Sequence, residues 1–163
     1  MHHRLFSLGL LWAVLYATTA TALPEDRQQP IRLQADRASF EQRSGVSVYE
    51  GNVEVSQGTL YLAADRATVH FDADGQFLRM EAVGTPTRFR YQPHAQRPPI
   101  DGTGDQIDYN AQTARVRVIG NARLVQGGDT FSGDRIEYDL NRDTVEARGR
   151  EGERIEFTIQ PRP

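Results

Sequence analysis

The chain has 163 residues, 38% hydrophobic and 25% charged, with a formal charge of −3 and no cysteine. That length suits one domain with its own core, and the missing cysteine excludes disulfides, thiolate metal sites and cysteine nucleophiles. Every basic residue is Arg, which removes Schiff-base and P-loop lysines, and the net acidity speaks against nucleic acid as a partner.

Residues 1–22 read as a targeting segment. His2, His3 and Arg4 open it, Leu8 to Ala17 form an apolar run of ten, and Ala20-Thr21-Ala22 places small residues at a cleavage site. This is the layout of a secretory signal cleaved after Ala22. The competing reading is a retained anchor, but a span needs about 20 apolar residues. The remainder, 23–163, is expected to be a single exported domain.

From residue 31 onward, apolar residues recur at every second position, the period of a half-buried strand. The runs begin with Ile31/Leu33/Ala35, Val46/Val48, Val53/Val55, Leu60/Leu62/Ala64 and Ala67/Val69/Phe71. They continue through Leu78/Met80/Ala82, Phe89/Tyr91, Ile107/Tyr109, Val116/Val118 and Ala122/Leu124. Ile136/Tyr138/Leu140, Val145/Ala147 and Ile155/Phe157/Ile159 close the series. No helix is expected. Turn signals at Ser44-Gly45, Gly51-Asn52, Gln57-Gly58, Asp74-Gly75, Gly127-Gly128 and Asn141-Arg142-Asp143 divide the runs into about sixteen short strands. The Pro-rich stretch 93–99 reads as the free tip of a longer hairpin with arms 87–92 and 100–104.

The pattern repeats. Gly51, Asn52, Gln57, Gly58, Asp65 and Arg66 recur as Gly120, Asn121, Gln126, Gly127, Asp134 and Arg135, always at an offset of 69, and Asp36 recurs as Asp105. A fixed period predicts a stacked all-β array in which neighbouring units complete one another's core. The expected architecture is an elongated rolled β-jellyroll of antiparallel strands, open at both ends. Its edges should lie near 30–35 and 154–159, where backbone groups lack partners.

Candidate chemistry is sparse. The repeated Asp residues fit strand-entry positions that bond local backbone N–H groups better than acid/base pairs. Asp72-Ala73-Asp74-Gly75 fits a hairpin turn, because the later ligands of a calcium loop are missing. His70 and His94 are too few for a metal site, so no metal or cofactor is expected. A glycosidase-like enzyme would need a carboxylate pair standing out from the repeat, and none does.

The segments Pro30-Ile31-Arg32-Leu33-Gln34-Ala35-Asp36, Tyr49-Glu50-Gly51-Asn52-Val53, Gln57-Gly58-Thr59 and Ala64-Asp65-Arg66 resemble the OstA-like domain family. Gly84-Thr85-Pro86, Gly120-Asn121-Ala122 and Gly133-Asp134-Arg135-Ile136 extend the resemblance over roughly 27–157. It implies a non-enzymatic periplasmic protein that binds and transports lipopolysaccharide as part of a bridge between the two membranes. Acyl chains would lie in an apolar groove lined by Ile31, Leu33, Phe40, Val53, Leu62, Phe89, Tyr109, Leu124, Ile136 and Tyr138. Arg32, Arg88 or Arg90 would meet phosphate at its rim. It further implies an LptC-like inner-membrane partner at the N-terminal edge (Ile31, Leu33). An LptD-like outer-membrane partner would meet the C-terminal edge (Ile155, Phe157, Ile159), with head-to-tail association of copies between them. The alternative is an envelope adaptor that joins partners by strand pairing and carries no lipid.

Overall fold

The computed structural model describes residues 25–92 and 96–161. The expected signal segment and Pro93-His94-Ala95 lie outside the described residues. One helical turn, α1 (Glu25–Gln28), precedes the strands, a correction to the expectation of no helix. It docks on the Gln57-Gly58-Thr59 turn: the Thr59 hydroxyl donates to Asp26 Oδ2 at 2.5 Å, and the Gln57 amide donates to the Gln29 carbonyl at 3.1 Å.

Ten antiparallel strands follow in a single sheet. They are β1 (Arg32–Gln34), β2 (Arg37–Glu41), β3 (Val46–Gln57), β4 (Leu60–Phe71), β5 (Phe77–Tyr91), β6 (Ile100–Asn110), β7 (Arg115–Gln126), β8 (Asp129–Asp139), β9 (Thr144–Arg148) and β10 (Glu156–Thr158). From β3 to β8 each strand pairs with the next in sequence. β1 and β2 share the outer side of β3, and β9 and β10 share that of β8.

The all-β jellyroll is borne out, and the strand number is corrected for a physical reason. The five ladders joining β3 to β8 lose register at Glu50/Val53, Ala63/Arg66, Val83/Thr87, Thr103/Gln106 and Ile119/Ala122. Bulges bend a strand and sharpen its twist. Aligned bulges crease the whole sheet, so each of the six long strands has two arms. Period-2 reading separates these arms but does not see that the backbone ladder continues past the crease. Twelve arms and the four short strands make the expected sixteen.

The repeated acids hold the crease. Asn52 Nδ2 donates to Asp36 Oδ2 at 2.9 Å, and Asn121 Nδ2 donates to Asp105 Oδ1 and Oδ2 at 3.2 and 3.0 Å. Asp65 Oδ2 accepts from the Thr85 N–H at 3.1 Å, and Asp134 Oδ1 accepts from Arg150 at 2.9 Å. Their role is structural, as expected, but the partners lie on the neighbouring segment rather than locally. Gly51 and Asn52 (φ 80° and 46°) and Gly120 and Asn121 (φ 72° and 49°) supply two successive left-handed residues at the bend. A side chain at Gly120 would also run into the Asp105 carboxylate. We expect Asp105→Ala and Asn121→Ala each to cost about 1–2 kcal/mol. The double variant should cost little more than either one alone. Additive losses in denaturant titrations would show that the pair is not one interaction.

Candidate lipid interior and edge surfaces

Directly paired residues of an antiparallel sheet share a face, so the registers sort side chains into rows. On the lower arms the inner rows read Phe40, Ser47, Val69, Met80, Tyr109, Val116, Tyr138, Val145 and Ala38, Tyr49, Ala67, Ala82, Ile107, Val118, Ile136, Ala147. On the upper arms one row reads Leu33, Val55, Leu62, Phe89, Gly102, Leu124, Phe131, Phe157. The rows between them carry mostly Arg, Asp, Glu, Gln and Thr and face outward; Val46 and Val48 lie in them, a correction to the expected run, because Ser47 and Tyr49 take the inner rows of β3. They are laced by ion pairs between exposed arginines and half-buried acids, such as Arg115–Glu137 at 3.0 Å and Arg117–Asp108 at 3.3 Å.

The two arms close on each other. Val53, Leu62, Phe89, Tyr109, Leu124, Ile136 and Tyr138 all belong to one buried cluster. The Phe89 ring covers Gly102 on the adjoining strand, where a Cβ would overlap it. The open trough expected from the resemblance is therefore shut in this structure: the interior residues pack as a core. At the N-terminal mouth, Ile31, Leu33 and Leu60 of the upper arms face Val69, Phe77 and Met80 of the lower across a cavity of about 10 Å³. That is room for one water at most.

Phe40 departs from the expected placement. It extends an inner row, but on edge strand β2, and is 62% exposed. It thus belongs to the sheet edge. The edges themselves are wider than the sequence suggests. β1 and β10 hold Leu33 and Phe157, with Ile31, Ile155 and Ile159 flanking them. Sequence reasoning misses β2 and, although it reads Val145/Ala147 as a strand, does not place β9 at an edge; these two offer the longer stretches of edge backbone. The repeat holds the missing signal: residues 37–41 correspond to 106–110, half of an interior strand. Arg88 and Arg90 project from the outer face of β5, a central strand, and Arg90 meets Asp101 at 3.4 Å. They do not rim the interior; of the three arginines only Arg32, on β1, stands beside the mouth.

On β8, Tyr138 donates to Asp143 Oδ1 at 2.5 Å. Burial first, then that hydrogen bond and the Asp143 charge, push the Tyr138 phenol well above its ordinary value of 10.0. Its proton is held more tightly in the folded state. The resulting stability is therefore complete below pH 10 and drains away as the pH rises past it. Thermal unfolding followed from pH 8 to 11 should show the melting temperature falling above pH 10, less steeply in Tyr138→Phe. Equal slopes would remove Tyr138 as the cause.

A creased antiparallel ribbon with apolar inner rows, whose edge strands have no further partner among the described residues, defines a class: an open-edged β-jellyroll. The chain belongs to the LptA/(LptD N-terminal domain) LPS transport protein family, whose model matches residues 32–144. It is 36% identical to the lipopolysaccharide export system protein LptH of Pseudomonas aeruginosa, over 93% of this chain and 91% of that protein. It is 30% identical to the lipopolysaccharide export system protein LptA of Escherichia coli K12, over 87% of this chain and 77% of that protein. The crystal structure of LptH, the LptA-homologous periplasmic component of the P. aeruginosa lipopolysaccharide transport device, superposes with a TM-score of 0.79. That match has 36% identity and covers 85% of this chain and all of that one. Among the described residues no cluster of His, Asp and Glu is arranged to hold a metal.

Proposed function

We propose that this chain is a periplasmic, non-enzymatic lipopolysaccharide carrier that forms part of the bridge between inner and outer membranes. The carrying observation is the set of inner rows, apolar apart from Ser47 and Gly102, that run from one edge to the other in a member of this family. Acyl chains enter where the arms meet the solvent, beside Ile31 and Leu33, and displace contacts between the arms. Each buried CH₂ is worth about 0.8 kcal/mol, enough for a long chain to offset the parting of the arms. The headgroup stays wet. An LptC-like partner joins β1 and β2, an LptD-like partner joins β9 and β10, and copies associate head to tail between them.

The closed interior favours a second reading, an adaptor that pairs strands and carries no lipid. A photo-reactive residue at Leu33 and another at Phe89 separate the two. The carrier crosslinks lipopolysaccharide at both positions, Phe89 only once the arms have parted. An adaptor gives no adduct at Phe89.

A further inference from the structure

The internal repeat specifies how one copy meets the next. Strands β3 and β4 correspond to β7 and β8 at an offset of 69. Their pairing partners then map as well. β2 and β1 lie on β3 as the two arms of β6 lie on β7: Tyr49 faces Ala38 as Val118 faces Ile107, and Val55 faces Leu33 as Leu124 faces Gly102. β9 and β10 lie on β8 as the two arms of β5 lie on β4: Arg135 faces Arg148 as Arg66 faces Val83, and Phe131 faces Phe157 as Leu62 faces Phe89. Within the chain, β5 and β6 pair with each other. Among the described residues, their counterparts at the two edges have no such neighbour in the sheet.

We infer that the C-terminal edge of one copy pairs with the N-terminal edge of the next in the register of β5 on β6. This sets Val145, Glu146, Ala147 and Arg148 opposite Phe40, Ser39, Ala38 and Arg37 of the next copy, and Phe157 opposite its Leu33. The inference rests on the end-to-end reading above and fixes its register. In this register each inner row runs on across the junction, and Phe40 is covered by Val145 as Tyr109 is by Met80. One outward pair is mismatched. Val83 and Gln106 face each other inside the chain, but the junction sets Arg148 against Arg37, with Arg135 beside Arg148 and Glu50 beside Arg37. Like charges directly opposite destabilise a strand pair. The edge is thus biased against its own kind and toward a partner strand with an acid at the Arg37 position.

The register is testable because the chain has no native cysteine. The Ala111 N–H donates to the Leu78 carbonyl at 2.9 Å, so 78/111 is a hydrogen-bonded pair. By alternation Glu81/Asp108 is a non-hydrogen-bonded pair, with Cα atoms about 4.5 Å apart, within disulfide range. Glu146 and Ser39 inherit that position, and both are exposed. Oxidised Ser39→Cys/Glu146→Cys protein should form a ladder of linked multimers, and Ser39→Cys/Thr144→Cys, two positions out of register, should not. Arg148→Glu should tighten self-association roughly three- to ten-fold, and adding Arg37→Glu should abolish the gain. Crosslinking only in the shifted pair, or an association constant indifferent to Arg148→Glu, overturns this inference and leaves end-to-end assembly standing. Sedimentation that finds only monomer at high concentration overturns both.

Discussion

Replacing Leu124 by Ala should lower the unfolding free energy by about 3 kcal/mol, because its side chain is fully buried among the inner rows and leaves a cavity there. If the interior is also the lipid path, the same variant should be rescued by cargo. An acyl chain fills the space that Leu124 vacates, so lipopolysaccharide should raise the melting temperature of Leu124→Ala by more than it raises that of the parent. Thermal unfolding with and without ligand checks both halves. Destabilisation with an equal ligand shift would place the cargo elsewhere.

Phe40→Asp should behave in the opposite way. The side chain is largely bare in the single copy. Its loss should therefore change the stability of that copy by no more than about 0.5 kcal/mol. At the junction, however, the substitution places a carboxylate on an apolar row facing Val145. Self-association should fall at least tenfold, because a buried unpaired charge costs well over the about 1.4 kcal/mol that a decade represents. Concentration-dependent sedimentation measures this, and unchanged association would remove β2 from the junction. Phe40 is consequently a probe of the edge, while Leu124 and Phe89 probe the proposed lipid path.

Much of the fold is legible in the sequence because strands of period 2 with a wet face leave a direct trace. Ile107, Ile136 and Leu124 alternate with polar neighbours and are buried, as that trace requires. The offset of 69 also announces the pseudo-symmetry that relates β3–β4 to β7–β8. Two things leave no such trace. The continuity of β3 and β7 through the crease passes through the Gly51-Asn52 and Gly120-Asn121 pairs, which look like ordinary turns when read locally. The closure of the arms depends on how far the sheet folds at those bulges, which alternation does not encode. Val55 and Met80 have the same pattern whether they stand apart or line one gap. Phe40 shows the remaining weakness: a residue can extend an inner row and still be bare, because it sits on an edge strand with no further strand beside it among the described residues.

The register breaks at the crease fall in line from β3 to β8, and the ladders continue on either side of it, with one further irregularity at His70/Phe71. Such a line is a spine, as in a book. Opening the leaves would bend the sheet along the Asp–Asn and Asp–Thr clasps, where the ladders already break. A passenger wedged between the pages would part them where it sits and let them shut behind it, so the gap would travel with the load and water would not flood the rest.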